Sequence, residues 1–323
     1  MYGGLQDRLK CKIHGPRQGV LLVFFRKLVI LSRGRRRRKL IMALEIRPLS
    51  NALGAEVLGG DFAKPLENGD IRELNGAFLQ YHLLCLRGDR LTPKEFYRVA
   101  SYFGTPFTET TRKNWVGDVP EISRLESTYK TEDARPKDPK LNRRSGWHTD
   151  HSFKEVPPKA TLLHGHEIPS SAGHTRFCNT RKAYEDLATP MKNQLEGLMA
   201  VHSYDTKRAP ARPIERTAEE ISETPDVAHP LVRRHDETGD KVLYFNSNRT
   251  DHIVGMERAE SNQLLDSIHE HMTQPKYRYD HDWLVGDIIV WDNRCLIHSV
   301  NVEYPVGEPR IHLRTLIKGV RPN

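Results

Sequence analysis

Cysteine is scarce in this sequence, with four residues among 323 and no CxxC pair. Few, widely separated cysteines without a CxxC pair argue against a zinc ribbon and against a disulfide scaffold. Widely separated cysteines favour a reducing compartment, and we expect a cytoplasmic protein. The four cysteines are Cys11, Cys85, Cys178 and Cys295.

Long hydrophobic runs are missing as well. The most apolar stretch, 19–32, is divided by Arg26 and Lys27 into pieces that are much shorter than the ~20 residues a membrane-spanning helix needs. No small-residue cleavage site follows this stretch, which excludes an ordinary secretory signal. We therefore expect no membrane partner.

Excess positive charge is confined to the start of the chain. Residues 1–41 hold 12 of the 50 Lys and Arg residues but one of the 42 acids, which leaves 38 basic and 41 acidic residues in 42–323. A slightly acidic body offers no concentrated phosphate-binding surface, so we expect no nucleic-acid partner. The leader is either a non-native upstream extension, with Met42 as the true start, or a targeting segment that would make the protein mitochondrial or nuclear. Strand-like alternation directly after Met42 favours the extension, and we predict a single domain over 42–323.

Nucleotide-binding loops are also absent, because neither GxGxxG nor GxxxxGK[ST] occurs. Segment 70–86 is predicted to be a helix followed by a strand, and Thr92 is predicted to cap a helix that starts at Pro93. Further strands are predicted at 159–168, 173–177, 242–246 and 287–292, helices at about 180–198 and 257–273, and polar loops at 128–146 and 205–228. This pattern predicts a mainly β fold, with a β-barrel or jelly-roll core and flanking helices.

Side chains that can bind a metal gather around Trp147. His148 and Asp150 are two residues apart, so in a strand they would face the same side. With a distant histidine they can form the two-His-one-carboxylate set that suits non-haem Fe(II). The third candidate is His298, which follows the apolar strand 287–292. A second His-x-acid string, at 235–237, is attributed to chance, because about two such matches are expected in this composition.

Two arginines follow this histidine. Arg310 and Arg314 lie 12 and 16 residues beyond His298, and their even spacing on a predicted strand places them on one face. Guanidinium groups bind carboxylates through paired hydrogen bonds, so these residues are candidate carboxylate anchors beside the metal. A pair of solvated strand charges is the alternative interpretation.

Taken together and in this order, these strings resemble the taurine dioxygenase/chlorophenoxyacetate dioxygenase family of Fe(II)/α-ketoglutarate-dependent dioxygenases. Five blocks carry the resemblance, which covers about 42–322: WHTDHSF, PPKATLLHGHEIPSSAGHTRF, AYEDL, VWDNRCLIH and RIHLRTLIKG. The resemblance implies a double-stranded β-helix (jelly-roll) core. It also implies an oxidoreductase that uses Fe(II), α-ketoglutarate (2-oxoglutarate) and O2 to hydroxylate a small anionic substrate, with release of succinate and CO2. A homo-oligomer is compatible with it.

The resemblance further implies a role for individual residues. For two apolar residues among those named below, Trp291 and Phe153, ordinary core packing is the alternative to a role in the site. The implied iron ligands are His148, Asp150 and His298. The implied α-ketoglutarate-binding residues are Thr175, Arg310 and Trp291. The implied substrate-binding residues are Arg314 and Phe153.

The chain departs from the taurine-specific members of the family in its substrate residues. Those members carry an Asn four residues before the first His ligand, where this sequence has Arg144. They also carry a His and a Tyr after the counterpart of Gly104, where this sequence reads TPFTETTRKN. These departures argue against taurine as the substrate. Arg144 and Arg249 lie in polar segments, which favours solvated side chains for both.

Two other functions stay open on the same His/Asp/His set. A zinc-dependent hydrolase uses similar ligands but gives no role to Arg310 and Thr175. A non-catalytic binding protein on the same fold is the second alternative.

Overall fold

The computed structural model describes residues 44–109, 114–137, 146–206, 208–209 and 217–323. The basic leader and Arg144 lie outside these residues, so the predictions that concern them stay predictions. No helix among the described residues is long and apolar enough to cross a membrane.

The largest sheet runs in the order β1-β2-β3-β15-β7-β17-β6-β5, and β4 pairs with β17. Its neighbours are antiparallel except for β2 and β3. The strands are β1 Glu45–Pro48, β2 Ala55–Leu58, β3 Leu83–Leu86, β4 Pro106–Phe107, β5 Trp115–Val116, β6 Val119–Glu126, β7 Ala160–Glu167, β15 Ile288–Asp292 and β17 Ile311–Ile317.

Three smaller sheets complete the strand pattern of the described residues. They are ordered β14-β8-β16, β10-β9-β13 and β11-β12. Their strands are β8 Thr175–Asn179, β9 Met199–His202, β10 Val227–Pro230, β11 Val232–Arg234, β12 Lys241–Leu243, β13 Thr250–Ile253, β14 Arg278–His281 and β16 Leu296–Val300.

Alternation along β15 shows how the layers are built. Ile288 and Val290 face the cluster that packs under the first two helices, whereas Ile289 and Trp291 face a second cluster that they share with Phe177 of β8. Successive strand residues point to opposite faces, so the large sheet has helices on one side and the β14-β8-β16 sheet on the other. The predicted mainly β fold with flanking helices is confirmed.

Three of the helices form where their sequence signals predict. Thr92 caps the second helix by accepting from the backbone N–H of Glu95, whose side chain accepts from the Thr92 N–H in return. Burial of Phe96 and Val99 on that helix contributes about 1.5–3 kcal/mol for each side chain. The helices are α1 Asn68–Tyr81, α2 Pro93–Ser101, α3 Thr180–Glu185, α4 Thr189–Leu195, α5 Ala218–Ser222 and α6 Arg258–Met272.

Two predicted boundaries are wrong. The single helix at about 180–198 is two helices, because Pro190, the second residue of α4, has no N–H to continue the hydrogen-bond ladder of α3. The loop at 205–228 contains α5 and the start of β10. Part of that loop, like part of 128–146, lies outside the described residues.

Buried histidines make the stability of the fold depend on pH. Burial lowers the pKa of His82 and His164 to about 4 and that of His202 to about 3. In the unfolded chain these groups titrate near 6.5, so below that pH the unfolded state binds more protons than the folded state. Their contribution is therefore fully present above about pH 6.5 and is lost as the pH falls toward 4.

We expect the melting temperature to fall steadily between pH 7 and pH 4.5, which scanning calorimetry in a series of buffers measures. The variant His202→Phe removes one of the three groups and should flatten the slope. A melting temperature that stays constant over this range would contradict the prediction.

Candidate metal and substrate site

His148 and His298 are joined by their backbones. The N–H of His148 donates to the carbonyl of His298 at 2.9 Å, and the N–H of His298 donates to the carbonyl of His148 at 2.7 Å. The two ring centroids are 4.1 Å apart. This two-residue bridge holds side by side two imidazoles that are 150 positions apart in the chain.

The ring nitrogens of these histidines are set for lone-pair donation. Nδ1 of His148 lies 2.7 Å from the carbonyl oxygen of Gly146, which can only accept, so Nδ1 carries the proton and Nε2 carries the lone pair. Burial lowers the pKa of His148, and it lowers the pKa of His298 to about 3. Both rings are therefore neutral at physiological pH, which is the form that binds metals.

Asp150 completes the cluster. Its Oδ1 lies 3.9 Å from Nε2 of His298, and the donor atoms of His148, Asp150 and His298 all lie within 4.8 Å of one another. Burial alone would raise the pKa of Asp150, but the neighbouring His298 and Arg314 bring it below its usual range. Three donor atoms this close to one another form a candidate site for one cation.

The reason predicted for this convergence is wrong, although the convergence occurs. His148 makes only the isolated bridge to His298, and Asp150 lies in the turn that follows. The next residue, His151, has a φ of 49°. The carboxylate therefore reaches the two rings by a turn of the backbone and not by alternation along a strand.

A cavity of about 290 Å³ opens beside this cluster, between the large sheet and the β14-β8-β16 sheet. All of the predicted site residues lie in the described part of the chain, and only Phe153 is not in the cavity wall. The predicted residues that line it are His148, Asp150, His298, Thr175, Trp291, Arg310 and Arg314.

Phe153 packs behind the cluster. It is buried, its ring stacks on His151 at 5.5 Å, and it meets Tyr204 edge-on at 4.9 Å. Arg249 is half-buried, with its guanidinium 4.2 Å from the ring centroid of Tyr204 and 4.9 Å from that of Phe153. The predicted solvated position of Arg249 is therefore wrong, because stacking on two aromatic rings covers it.

Thr175 presents its hydroxyl group to the cavity. Nε1 of Trp283 donates to Thr175 Oγ1 at 3.0 Å. Since an indole N–H can only donate, the hydroxyl proton of Thr175 remains available for an acceptor in the cavity. Trp283 is 108 positions from Thr175, and the sequence gives no sign of the contact.

Arg310 is buried at the same end of the cavity. Its Nε and Nη2 donate to the carbonyl of Gly173 at 3.3 and 3.0 Å, and its Nη1 donates to Ser127 Oγ at 3.4 Å. Its guanidinium also lies 5.7 Å from the ring centroid of Tyr304. Gly173 has a φ of 72°, and a Cβ there would lie 3.3 Å from Arg310 Nε, so glycine suits both the turn and the close approach.

Arg314 lines the cavity, and one edge of its guanidinium group forms hydrogen bonds with Glu109. Its Nε donates to Glu109 Oε1 at 2.8 Å, and its Nη2 donates to Glu109 Oε2. The Glu109 side chain is 4% exposed, against 21% for Arg314. Burial would raise the pKa of Glu109, but the charge and hydrogen bonds of Arg314 bring it below its usual range. Nη1 of Arg314 makes no hydrogen bond to the described residues.

Two other clusters of potential ligands are satisfied by the protein itself. Asp292 accepts from the backbone and side chain of Arg294 and from Nε2 of His235 at 2.9 Å, while backbone N–H groups of 237 and 238 donate to His235 Nδ1. His235 is thus a buried structural residue, which agrees with its exclusion from the metal site. Asp287 similarly accepts from Arg87 and His281. The carboxylates of Asp292 and Asp287 and the ring of His235 are thus already engaged by other protein groups.

Comparison with known proteins places this site in context. A sequence profile described as "Taurine catabolism dioxygenase TauD, TfdA family" matches residues 45–316. The chain is 31% identical over 286 residues to the (S)-phenoxypropionate/alpha-ketoglutarate-dioxygenase of Sphingobium herbicidovorans, which covers 86% of this chain and 96% of that protein. It is 30% identical over 269 residues to the alkylsulfatase of Acinetobacter baylyi, which covers 81% of each.

A solved structure gives the same picture. The crystal structure of AAD-2 in complex with Mn(II) and N-oxalylglycine aligns with a TM-score of 0.71 and 29% sequence identity. The alignment covers 87% of this chain and 99% of that one. Sequence and fold therefore agree over nearly the whole described body.

Proposed function

The chain belongs to the taurine catabolism dioxygenase TauD, TfdA family and is an α-ketoglutarate-dependent dioxygenase; on that premise we propose that His148, Asp150 and His298 bind its Fe(II). The predicted family, and with it the dependence on Fe(II), 2-oxoglutarate and O2, is confirmed. What carries the proposal for the ligands is the meeting of three donor atoms within 4.8 Å at the wall of the cavity.

The donor set fits this ion. Two neutral imidazoles and one carboxylate are the ligands of non-haem Fe(II) oxygenases, and they leave three coordination positions open. Nδ1 of His148 is tied to a backbone carbonyl, which fixes the ring with Nε2 toward the cluster. When bound, the iron supplies oxygen activation coupled to the decarboxylation of 2-oxoglutarate to succinate and CO2, with the second oxygen atom delivered to the substrate as a hydroxyl group.

The co-substrate would be held by its distal carboxylate. Arg310 brings a buried positive charge to the cavity wall, and Thr175 brings a hydroxyl proton whose oxygen is already engaged by Trp283. A charge-assisted hydrogen bond from each would orient the carboxylate in a site that excludes water. Trp291 closes the wall beside His298, with ring centroids 4.8 Å apart.

The primary substrate would be held by Arg314. Relatives named for phenoxypropionate and for alkyl sulfates act on small anions, and Arg314 is the second cationic side chain that lies near the metal ligands on the cavity wall. Because Glu109 holds the Nε–Nη2 edge of this guanidinium, the anion would bind at the Nη1 end. The negative charge of Glu109 also makes a singly charged carboxylate, sulfonate or sulfate ester a better match than a dianion.

The reaction is tested by adding Fe(II) and 2-oxoglutarate to the metal-free protein without oxygen. We expect the weak visible charge-transfer band of such a complex, and then succinate formation in a screen of sulfonates, aryloxy acids and alkyl sulfates under oxygen. Turnover that persists without oxygen would favour the zinc hydrolase instead. Absence of both the band and succinate would overturn the proposed function.

Arg314→Met should raise the KM for the primary substrate by about 30-fold or more, equivalent to roughly 2 kcal/mol of lost charge-assisted binding. The KM for 2-oxoglutarate should stay within about twofold, because Arg310 is unchanged. Arg124→Met is a matched control, since Arg124 lines the same cavity but its side chain is 47% exposed. Equal effects of the two substitutions would contradict the assignment.

A further inference from the structure

The second oxygen of Asp150 is engaged by a buried hydroxyl group. Thr161 lies on β7, is fully buried, and its Oγ1 is 2.6 Å from Asp150 Oδ2. Since a carboxylate can only accept, the hydroxyl proton of Thr161 points to Asp150. Oδ1 is the oxygen on the side of His298.

The direction of this hydrogen bond is fixed by two more. Nε1 of Trp291 donates to Oδ1 of Asn293 at 3.0 Å, and because the indole N–H can only donate, the amide of Asn293 has one orientation. Nδ2 of Asn293 then donates to Thr161 Oγ1 at 2.8 Å. With its oxygen occupied in this way, Thr161 has its single proton left for Asp150.

The hydrogen-bonded series from Trp291 to Asp150 also contacts His298. The ring of Trp291 packs against the ring of His298 at 4.8 Å between centroids. One series of hydrogen bonds and one ring contact therefore connect the carboxylate ligand with an imidazole ligand, through residues that are all buried.

We propose that Thr161 and Asn293 are positioning residues that keep Asp150 a one-oxygen ligand of the metal. The inference rests on the proposed function, because it needs a metal at His148, Asp150 and His298. With Oδ2 held by Thr161, binding through both oxygens would require that hydrogen bond to break. One-oxygen binding keeps three positions open, which the co-substrate and oxygen together need.

The test measures metal affinity and does not depend on turnover. Co(II) is titrated into the metal-free full chain, and its visible absorption gives the Kd. Thr161→Val keeps the shape of the side chain but removes the hydroxyl, and we expect the Kd to rise 10- to 100-fold, as is usual when a group that orients a ligand is lost. Thr161→Ser restores the hydroxyl and should bring the Kd within about threefold of the parent value.

Trp291→Phe tests the start of the series, because it removes the indole N–H and keeps a ring against His298. Without that N–H the amide of Asn293 is free to turn over, so a smaller rise in Kd is expected. Its effect should largely disappear when it is combined with Thr161→Val, since both act through the same hydroxyl.

Thr315→Val is the matched control. Thr315 is also fully buried, lies on the neighbouring strand β17 opposite Leu162, and its hydroxyl has no hydrogen-bond partner among the described residues. Its Kd for Co(II) should equal that of the parent. A Thr161→Val protein with parental affinity, or an equal loss in Thr315→Val, would overturn the inference. If the parent chain binds no Co(II) that depends on His148, the proposed function itself fails.

Discussion

Replacing Asp150 with alanine is expected to lower the rate of succinate formation by about 1000-fold or more. The substitution removes the anionic ligand, and metal-ion catalysis supplies several kcal/mol of transition-state stabilisation, with 1.36 kcal/mol for each factor of ten. It also leaves the buried hydroxyl of Thr161 without its acceptor. Succinate is measured at saturating iron and 2-oxoglutarate, and metal content is measured in parallel.

The control for this substitution is Glu237→Gln, in the second His-x-acid string. Glu237 accepts from Lys159 and Arg294 and belongs to a structural cluster. Its loss should leave the rate within about threefold of the parent. An Asp150→Ala enzyme that retains a tenth of the parental rate would show that this carboxylate does not hold the metal.

Arg310→Met is expected to raise the KM for 2-oxoglutarate by about 100-fold. A buried charge pair that loses one partner costs about 2–5 kcal/mol, and 100-fold corresponds to roughly 2.7 kcal/mol. The KM of Arg310→Lys for 2-oxoglutarate should fall between that of the parent and that of Arg310→Met. An ammonium group keeps the charge but not the planar fork that Gly173 and Ser127 hold in place. Initial rates over a range of 2-oxoglutarate concentrations give the KM.

The comparison variant is Arg314→Met. It should leave the KM for 2-oxoglutarate nearly unchanged and alter the KM for the primary substrate. The two arginines are four residues apart and line one cavity, so exchange of these two effects would reverse the roles assigned to them. If each of the two substitutions raised the KM for 2-oxoglutarate and the KM for the primary substrate equally, the cause would be a general loss of positive charge from the cavity.

The sequence was sufficient for the class of fold, and it named the three side chains whose donor atoms the structure brings together. His148, Asp150 and His298 stand in long strings that match a family, and the apolar periodicity of segments such as 287–292 predicts strands directly. Arg310 and Arg314 both line the cavity, although Arg310 lies one residue before β17 and the register of that strand shifts between Ile311 and His312.

The side-chain contacts that the sequence did not reveal join residues that are far apart in the chain. Glu109 is 205 positions from Arg314, in a polar segment with nothing to suggest that its carboxylate is buried. Trp283 reaches Thr175, and Thr161 reaches Asn293, only after β7, β8 and β15 have taken their places. Such contacts follow from the register in which the strands pair, and this register is difficult to predict from a single sequence. Pro190 is different, since its effect on the helix is local and was open to prediction.

The backbone bridge between His148 and His298 has a consequence for how the site assembles. Bringing two proposed ligands 150 positions apart to one ion costs loop-closure entropy, and the two backbone hydrogen bonds of the bridge offset part of that cost without help from the metal. In a zinc finger the opposite holds, because metal binding itself drives folding. We therefore expect the chain to stay folded when its iron is removed, because backbone hydrogen bonds also hold His148 beside His298.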